Sequence, residues 1–314
     1  GPSWSPLDKT PVPSLATPLV VSPRSLAMKL SLVLVTRNRP ELARQALDSV
    51  TRSSSQVDQV VVVDQSQPGQ LLQAPNDIDY LAICEQGLSR GRNRGIDLAR
   101  GEIIVCIDDD CTVQPGWLDD LKRRFSDCPQ LGLVFGQVIP VAHDPAQVVI
   151  PGLVFKKSSL ARNFAERIRV EGMGACMALR RRCWERVSGF DSQLGAGTSL
   201  CAGEELDFSL RVMALGYWIS NEPRFQVFHH GSRSHEELAA LARGYWQGTG
   251  AALFKNLRAG RLEVGLYLAQ LALRFFVGRS AHNHGLPVSR LLRLQAFLQG
   301  AAKGMCYRSL EVKS

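Results

Sequence analysis

The chain alternates between unbroken apolar runs and stretches where apolar residues recur every three or four positions. Leu30 to Val35 is one such run; it ends in Thr36-Arg37-Asn38, after which Leu42, Ala46, Leu47 and Val50 return at helical spacing. The pattern predicts strand, loop and helix, with Asn38 as N-cap, Glu41 completing a capping box and Pro40 in the first turn. Val60 to Val63 forms a second run, ending at Asp64 before the loop-forming Gln65 to Gly69, and Ile103 to Ile107 forms a third, ending at Asp108-Asp109-Asp110. Continuous β-branched runs suit strands covered on both faces, and their alternation with helices predicts an α/β fold with a mostly parallel, Rossmann-like sheet. Ligands bind such sheets beyond the carboxyl ends of the strands. Thr36, Asp64 and the aspartate triplet all stand at such ends, so three segments are expected to meet in one crevice.

Farther on, Leu118 to Phe125 reads as a helix and Leu131 to Pro140 as a strand, followed by irregular sequence to about Met173. Gly195, Gly197 and Gly203 flank the acids Glu204, Glu205 and Asp207, as in a loop entering a helix. From Ser234, which forms a capping-box pair with Glu237, the chain reads as helix to its end. The first 27 residues hold six prolines and no apolar period and are expected to form a flexible arm or leader. The expected organisation is therefore an arm over 1–27, a catalytic domain over 28–232 and a helical extension over 233–314.

Composition narrows the class. With 314 residues, 45% of them hydrophobic, the chain can bury a substantial core and is not globally disordered. Eight cysteines without a C-x-x-C pair, and no secretory h-region near the start, read as reduced thiols in a cytoplasmic protein. A net charge of +8 favours anionic partners: nucleotide phosphates, acidic lipid head groups or nucleic acid.

The acidic clusters carry the candidate chemistry. Asp108 and Asp110, spaced i, i+2 at the end of a buried strand, can present oxygens to one hard cation, Mn²⁺ or Mg²⁺; the alternative is a solvated acidic loop. Glu204, Glu205 and Asp207 offer a general base whose pKa is raised by burial and by adjacent acids; the alternative is an acidic helix N-terminus stabilised by the macrodipole. Arg90, Arg92 and Arg94 can hold a diphosphate or form a solvated helix face. His229 and His230 follow an apolar stretch and can bring an imidazole to a metal or phosphate, or serve structure alone.

Together these segments resemble the family-two glycosyltransferases of the GT-A fold, from about Leu30 to about Lys255. The family's P-T-x-N-R loop looks like Val35-Thr36-Arg37-Asn38-Arg39, and its V-D-D-x-S strand end looks like Val63-Asp64-Gln65-Ser66, where the second acid is missing. Its A-R-N-x-G helix resembles Gly91-Arg92-Asn93-Arg94-Gly95, and its strand ending in D-D-D resembles Gly101 to Asp110, with Trp117 nine residues past the first aspartate. The acceptor-side signature G-E-D-x-D-L-x-x-R resembles Gly203 to Arg211, and Val227-Phe228-His229 resembles the closing strand with its metal-side histidine.

The resemblance implies an inverting transfer from a nucleotide sugar, UDP-linked by default, to a glycan or lipid-linked acceptor. Glu205 would be the base, with Glu204 or Asp207 sharing the task. Thr36, Asn38, Arg39, Asp64, Arg92, Asn93, Asp108 and Asp109 would bind the donor, and Asp110, Asp108 and His229 the metal. No nucleic-acid partner is implied. Two rivals are a sugar-phosphate nucleotidyltransferase, which would want a glycine-rich, lysine-containing loop after the first strand, and a catalytically silent binder of nucleotide sugars or lipids. Leu262 to Val277, sixteen mostly apolar residues, is shorter than the roughly 20 needed to span a bilayer. With Arg258, Arg261, Arg290 and Arg293 nearby it suits an acidic membrane surface at the inner face, or packing on the catalytic domain or a second subunit.

Overall fold

The computed structural model describes residues 28–53, 57–277 and 289–306. The expected arm over 1–27 lies outside the described residues. In chain order the strands are β1 (Leu30–Thr36), β2 (Gln59–Asp64), β3 (Asp79–Ala82), β4 (Ile103–Asp108), β5 (Cys111–Thr112), β6 (Leu131–Pro140), β7 (Ser159–Ala161), β8 (Cys176–Arg180) and β9 (Trp218–His229). The helices are α1 (Pro40–Ser53), α2 (Leu88–Leu98), α3 (Asp119–Asp127), α4 (Arg181–Arg186), α5 (Glu204–Ala214), α6 (His235–Arg258), α7 (Val264–Val277) and α8 (Arg290–Cys306).

All nine described strands join one sheet in the order β3-β2-β1-β4-β8-β6-β9-β5, with β7 on β9. β3, β2, β1 and β4 pair in parallel; β8 runs against β4 and β6, and β9 is parallel to β6, so six strands share one direction. This is the mostly parallel α/β sheet expected. The chain runs from β1 to β2 and β3 on one side and crosses back to β4 on the other, and the crevice at that switch point lies beyond the carboxyl ends of β1 and β4.

The continuous apolar runs are explained by two cores, one per sheet face. Leu30, Leu32, Leu34, Ile103, Val105 and Ile107 pack with α1 and α3, whereas Val33, Ile104 and Cys106 pack with Ile96 of α2, Phe208 of α5 and Tyr267 of α7. Helix α2 lies close on β1 because it has no side chain at the contacts. A Cβ at Gly91 would come 2.5 Å from Val35 Cγ1, and one at Gly95 2.4 Å from Val33 Cγ1.

Three sequence readings are amended. Asn38 does not cap α1: it sits at φ 54°, its Oδ1 accepts from Gln67 N, and the helix begins at Pro40. The tail is not one continuous helix, because α6 ends before Gly260 at φ 82° and α7 starts afresh. Strands β3 and β7, of four and three residues, are too short for a period to register. The Ser234–Glu237 capping box is present in full.

Candidate functional site

Strand register builds the site. Thr36 pairs with Asp64 and Val35 with Asp108, so the ends of β1, β2 and β4 lie side by side. After the triplet the chain reverses into β5, which pairs antiparallel with β9 and sets Cys111 opposite His229. A cleft of about 420 Å³ opens over these strand ends, closed on the far side by the N-terminus of α5 and by Leu241 and Tyr245 of α6.

Nine of the thirteen predicted site residues line this cleft: Thr36, Arg39, Arg92, Asp108, Asp109, Asp110, Glu204, Glu205 and His229. The triplet divides into three environments. Asp109 is fully buried, accepts from Thr36 Oγ1 at 2.7 Å and pairs with Arg39 at 2.5 Å; burial pushes it up to about 6 against those two partners. Asp110 also pairs with Arg39, at 2.8 Å. Burial opposes its charge, but the His229 hydrogen bond and the cations His229, Arg39 and Arg233 hold the carboxyl at about 2. Asp108, the most exposed of the three, accepts from Arg92 Nη2 at 2.9 Å.

His229 is the better metal candidate of the histidine pair. Its Nδ1 lies 2.7 Å from Pro151 O, and a carbonyl only accepts, so Nδ1 carries the hydrogen. Nε2 then faces Asp110 Oδ1 at 3.4 Å, able to offer a lone pair to a cation when the ring is neutral. His230 turns away to Thr112 Oγ1 at 2.9 Å. Asp110, Cys111 and His229 form the single metal-competent group among the described residues. Burial holds the Cys111 thiol well above its ordinary pKa, so it stays protonated. The available donors are therefore carboxylate oxygen and imidazole nitrogen, which fit Mn²⁺ or Mg²⁺ with Asp108 at the rim. Gly231 makes room for this pair: a Cβ there would lie 2.5 Å from Asp110 Oδ2 and 2.6 Å from His229 Nε2.

Arg92 joins the two acidic clusters. Its side chain is 2% exposed, with Nη1 donating to Glu204 Oε1 at 3.0 Å and Nη2 to Asp108 Oδ1 and Gly174 O, each at 2.9 Å. Next to Glu204, Glu205 faces the cleft. Burial, reinforced by the Glu204 charge, raises its carboxyl well above the usual range. A carboxyl so placed can accept a proton from a hydroxyl that enters the cleft.

Four predicted residues do not reach the cleft. Asn38 is held by Gln67. Asp64 is fully buried, its oxygens taken by Ser66 N, Leu72 N and Tyr80 Oη, so it shapes the loop after β2. Asn93 clamps Phe190 N and O and Trp184 Nε1. Asp207 is on the opposite side of α5, between Arg211, Lys255 and Asn256, which hold its carboxyl at about 2 despite burial. Conversely, Gln65, Arg233, Leu241 and Tyr245 line the cleft and were not predicted: Gln65 stands where the second acid of the V-D-D-x-S strand end is missing, and no motif marks Arg233 or the α6 residues Leu241 and Tyr245 as a wall of the site.

The profile described as "Glycosyl transferase family 2" matches residues 31–186. A curated relative, the glucosyl-dolichyl phosphate glucuronosyltransferase of Haloferax volcanii, is 25% identical over 301 residues, covering 89% of this chain and 96% of its own. Among solved structures, S. aureus TarS 1-349 superposes with TM-score 0.57 at 16% identity, covering 87% of this chain and 81% of that one. The mannosyltransferase PcManGT of Pyrobaculum calidifontis, in complex with GDP-Man and Mn²⁺, gives 0.54 at 17% identity, covering 88% and 86%. These matches favour sugar transfer over the nucleotidyltransferase alternative.

Proposed function

Because the chain belongs to the family-two glycosyltransferases and carries their GT-A fold, we propose that it moves a sugar with inversion from a UDP-sugar to a hydroxyl of a lipid-linked saccharide. The observation that carries this reading is the placing of Glu205, a carboxyl of raised pKa, in the same cleft as Asp108, Asp110 and His229. Glu205 takes the proton of the acceptor hydroxyl as its oxygen attacks the anomeric carbon, and the bond from that carbon to the diphosphate oxygen breaks. When bound by Asp110 and His229, with Asp108, Mn²⁺ or Mg²⁺ supplies charge neutralisation to the departing nucleoside diphosphate. The roles of Glu204 and Arg92 are then to position: Arg92 spans the two halves of the cleft and Glu204 adds the charge that lifts its neighbour.

Arg39 holds Asp109 and Asp110, and Thr36 holds Asp109, so both act on the donor side through the triplet. Asp64 and Asn38 act there by fixing the loop after β2 rather than by touching a nucleotide. The lipid-linked class of acceptor is supported by the H. volcanii relative, whose name specifies a glucosyl-dolichyl phosphate substrate. Eight cysteines, none paired, suit a reducing compartment, and we place the reaction in the cytoplasm at the membrane face.

The test is a panel of nucleotide sugars with Mn²⁺, read first by thermal stabilisation and then by nucleoside diphosphate release onto polyprenyl-phosphate sugars, with the product anomer assigned by NMR. Retention of configuration, or release of pyrophosphate instead, would overturn the reading.

A further inference from the structure

The helical extension carries a surface that the transfer reaction does not use. Twelve large hydrophobic residues are exposed among the described residues, and nine of them fall between Leu262 and Met305. They lie in two stripes. Leu266, Leu273, Phe276 and Val277 recur at helical spacing along the outer side of α7, with Leu262 in the turn just before it, and the inner side buries Val264, Tyr267 and Leu271. Leu291, Leu294, Leu298 and Met305 do the same on α8, whose inner side buries Ala296, Gly300 and Gly304 against α6. The stripes meet at an apolar groove of about 80 Å³, lined by Phe276 of α7, Leu294 of α8 and Trp246 of α6.

The charges carried by α7 and α8 themselves are all positive, although Arg274 is engaged by Glu171 at 3.4 Å and Glu263 is exposed just before α7. Helices α7 and α8 contain Arg274, Arg290, Arg293 and Lys303 and no carboxylate. A two-fold contact between copies would set like charges against one another, whereas an anionic lipid surface complements both the cations and the apolar stripes. No described helix is long and apolar enough to cross a membrane, and the 14 residues of α7 rise only about 21 Å, so the helices would lie along the interface. Helix α6 couples this face to the site: Leu241 and Tyr245 line the catalytic cleft and the adjoining Trp246 lines the groove.

We infer that the outer face of α7 and α8 docks the enzyme on an anionic phospholipid bilayer, with Leu266, Leu273, Phe276, Leu291 and Leu298 entering the acyl boundary. The inference extends the lipid-linked reading of the acceptor. Its test contains neither donor nor acceptor, so its failure would leave the transfer reaction standing.

The full chain is floated with phosphatidylcholine vesicles and with vesicles that also contain phosphatidylglycerol. The expected result is at least about tenfold more protein on the anionic vesicles, decreasing as salt rises. The double variant Leu273→Glu/Leu298→Glu should lose roughly tenfold or more of that binding, since each leucine forfeits its burial. Leu98→Glu, exposed at the end of α2, should bind as the parent does. Circular-dichroism melting confirms that each variant is folded. Equal flotation on neutral vesicles, or no flotation at low salt, would overturn the proposal. So would a concentration-dependent dimer in solution abolished by the Leu273→Glu/Leu298→Glu pair.

Discussion

Replacing Arg92 with methionine separates two roles that this residue could have, positioning the cleft or gripping the donor diphosphate. The guanidinium is 2% exposed and makes three hydrogen bonds at 2.9 to 3.0 Å, to Asp108, Glu204 and Gly174 O. Methionine fills the volume without the donors, leaving Glu204, whose side chain is 7% exposed, with its charge uncompensated. Removing one partner of a buried ion pair destabilises by about 3–5 kcal/mol. For a chain of this size each kcal/mol shifts Tm by about 2–4 °C, so Arg92→Met should melt about 6–20 °C lower. Adding Glu204→Gln removes the stranded charge and should restore part of the loss, which a double-mutant cycle in urea would show as a coupling of about 1–3 kcal/mol. Donor affinity, measured by calorimetry well below the melting range, should fall by less than about tenfold, because the side chain is committed to protein partners. A variant that melts within about 2 °C of the parent but no longer binds the donor would refute the bridge and restore the diphosphate role.

Glu205→Gln should lower kcat by about 10²- to 10⁴-fold with donor binding retained. Since burial and Glu204 raise the Glu205 pKa and only the ionised form accepts a proton, parent activity should climb as pH rises through that pKa. The glutamine variant's residual activity should lack this limb. Asp207→Asn tests the assignment of that acid to structure: Tm should fall while kcat stays within about twofold. Its folded pKa is depressed to about 2, so its stabilisation is present above the unfolded value near 4 and is lost as pH falls toward 2. The contribution is about 2 kcal/mol, and the acid limb of a pH–Tm profile should be shallower in the variant. Gly231→Ala should weaken Mn²⁺ binding by about 10- to 100-fold, read by metal-dependent thermal shift, because its Cβ would crowd Asp110 and His229.

The parallel half of the sheet was legible because hydrophobic burial is a property of contiguous residues. The runs ending at Thr36, Asp64 and Asp108 needed only the strand-end rule to imply a common crevice, and β1, β2 and β4 stand side by side as expected. That an α5 acid would face the aspartates was implied by the family resemblance of Gly203 to Arg211, whereas the residue pattern alone left an ordinary acidic helix N-terminus open.

What the sequence could not determine is which polar groups face the cleft, because that depends on the rotation of each element about its own axis and on partners far away in the chain. Glu205 and Asp207 are two residues apart on one helix, yet one faces the cleft and the other turns to Lys255 and Asn256, about fifty positions on. Arg92 looked like a donor ligand until Glu204, 112 positions away, took its guanidinium. Asp64 stands at the predicted strand end, but three hydrogen bonds from Ser66, Leu72 and Tyr80 turn it inward. Chain order therefore determined which strand ends meet. Only the packing of α2, α5 and α6 over them decided which acids remain available for chemistry and which are neutralised by buried cations, because a buried charge must be paired wherever the fold leaves it.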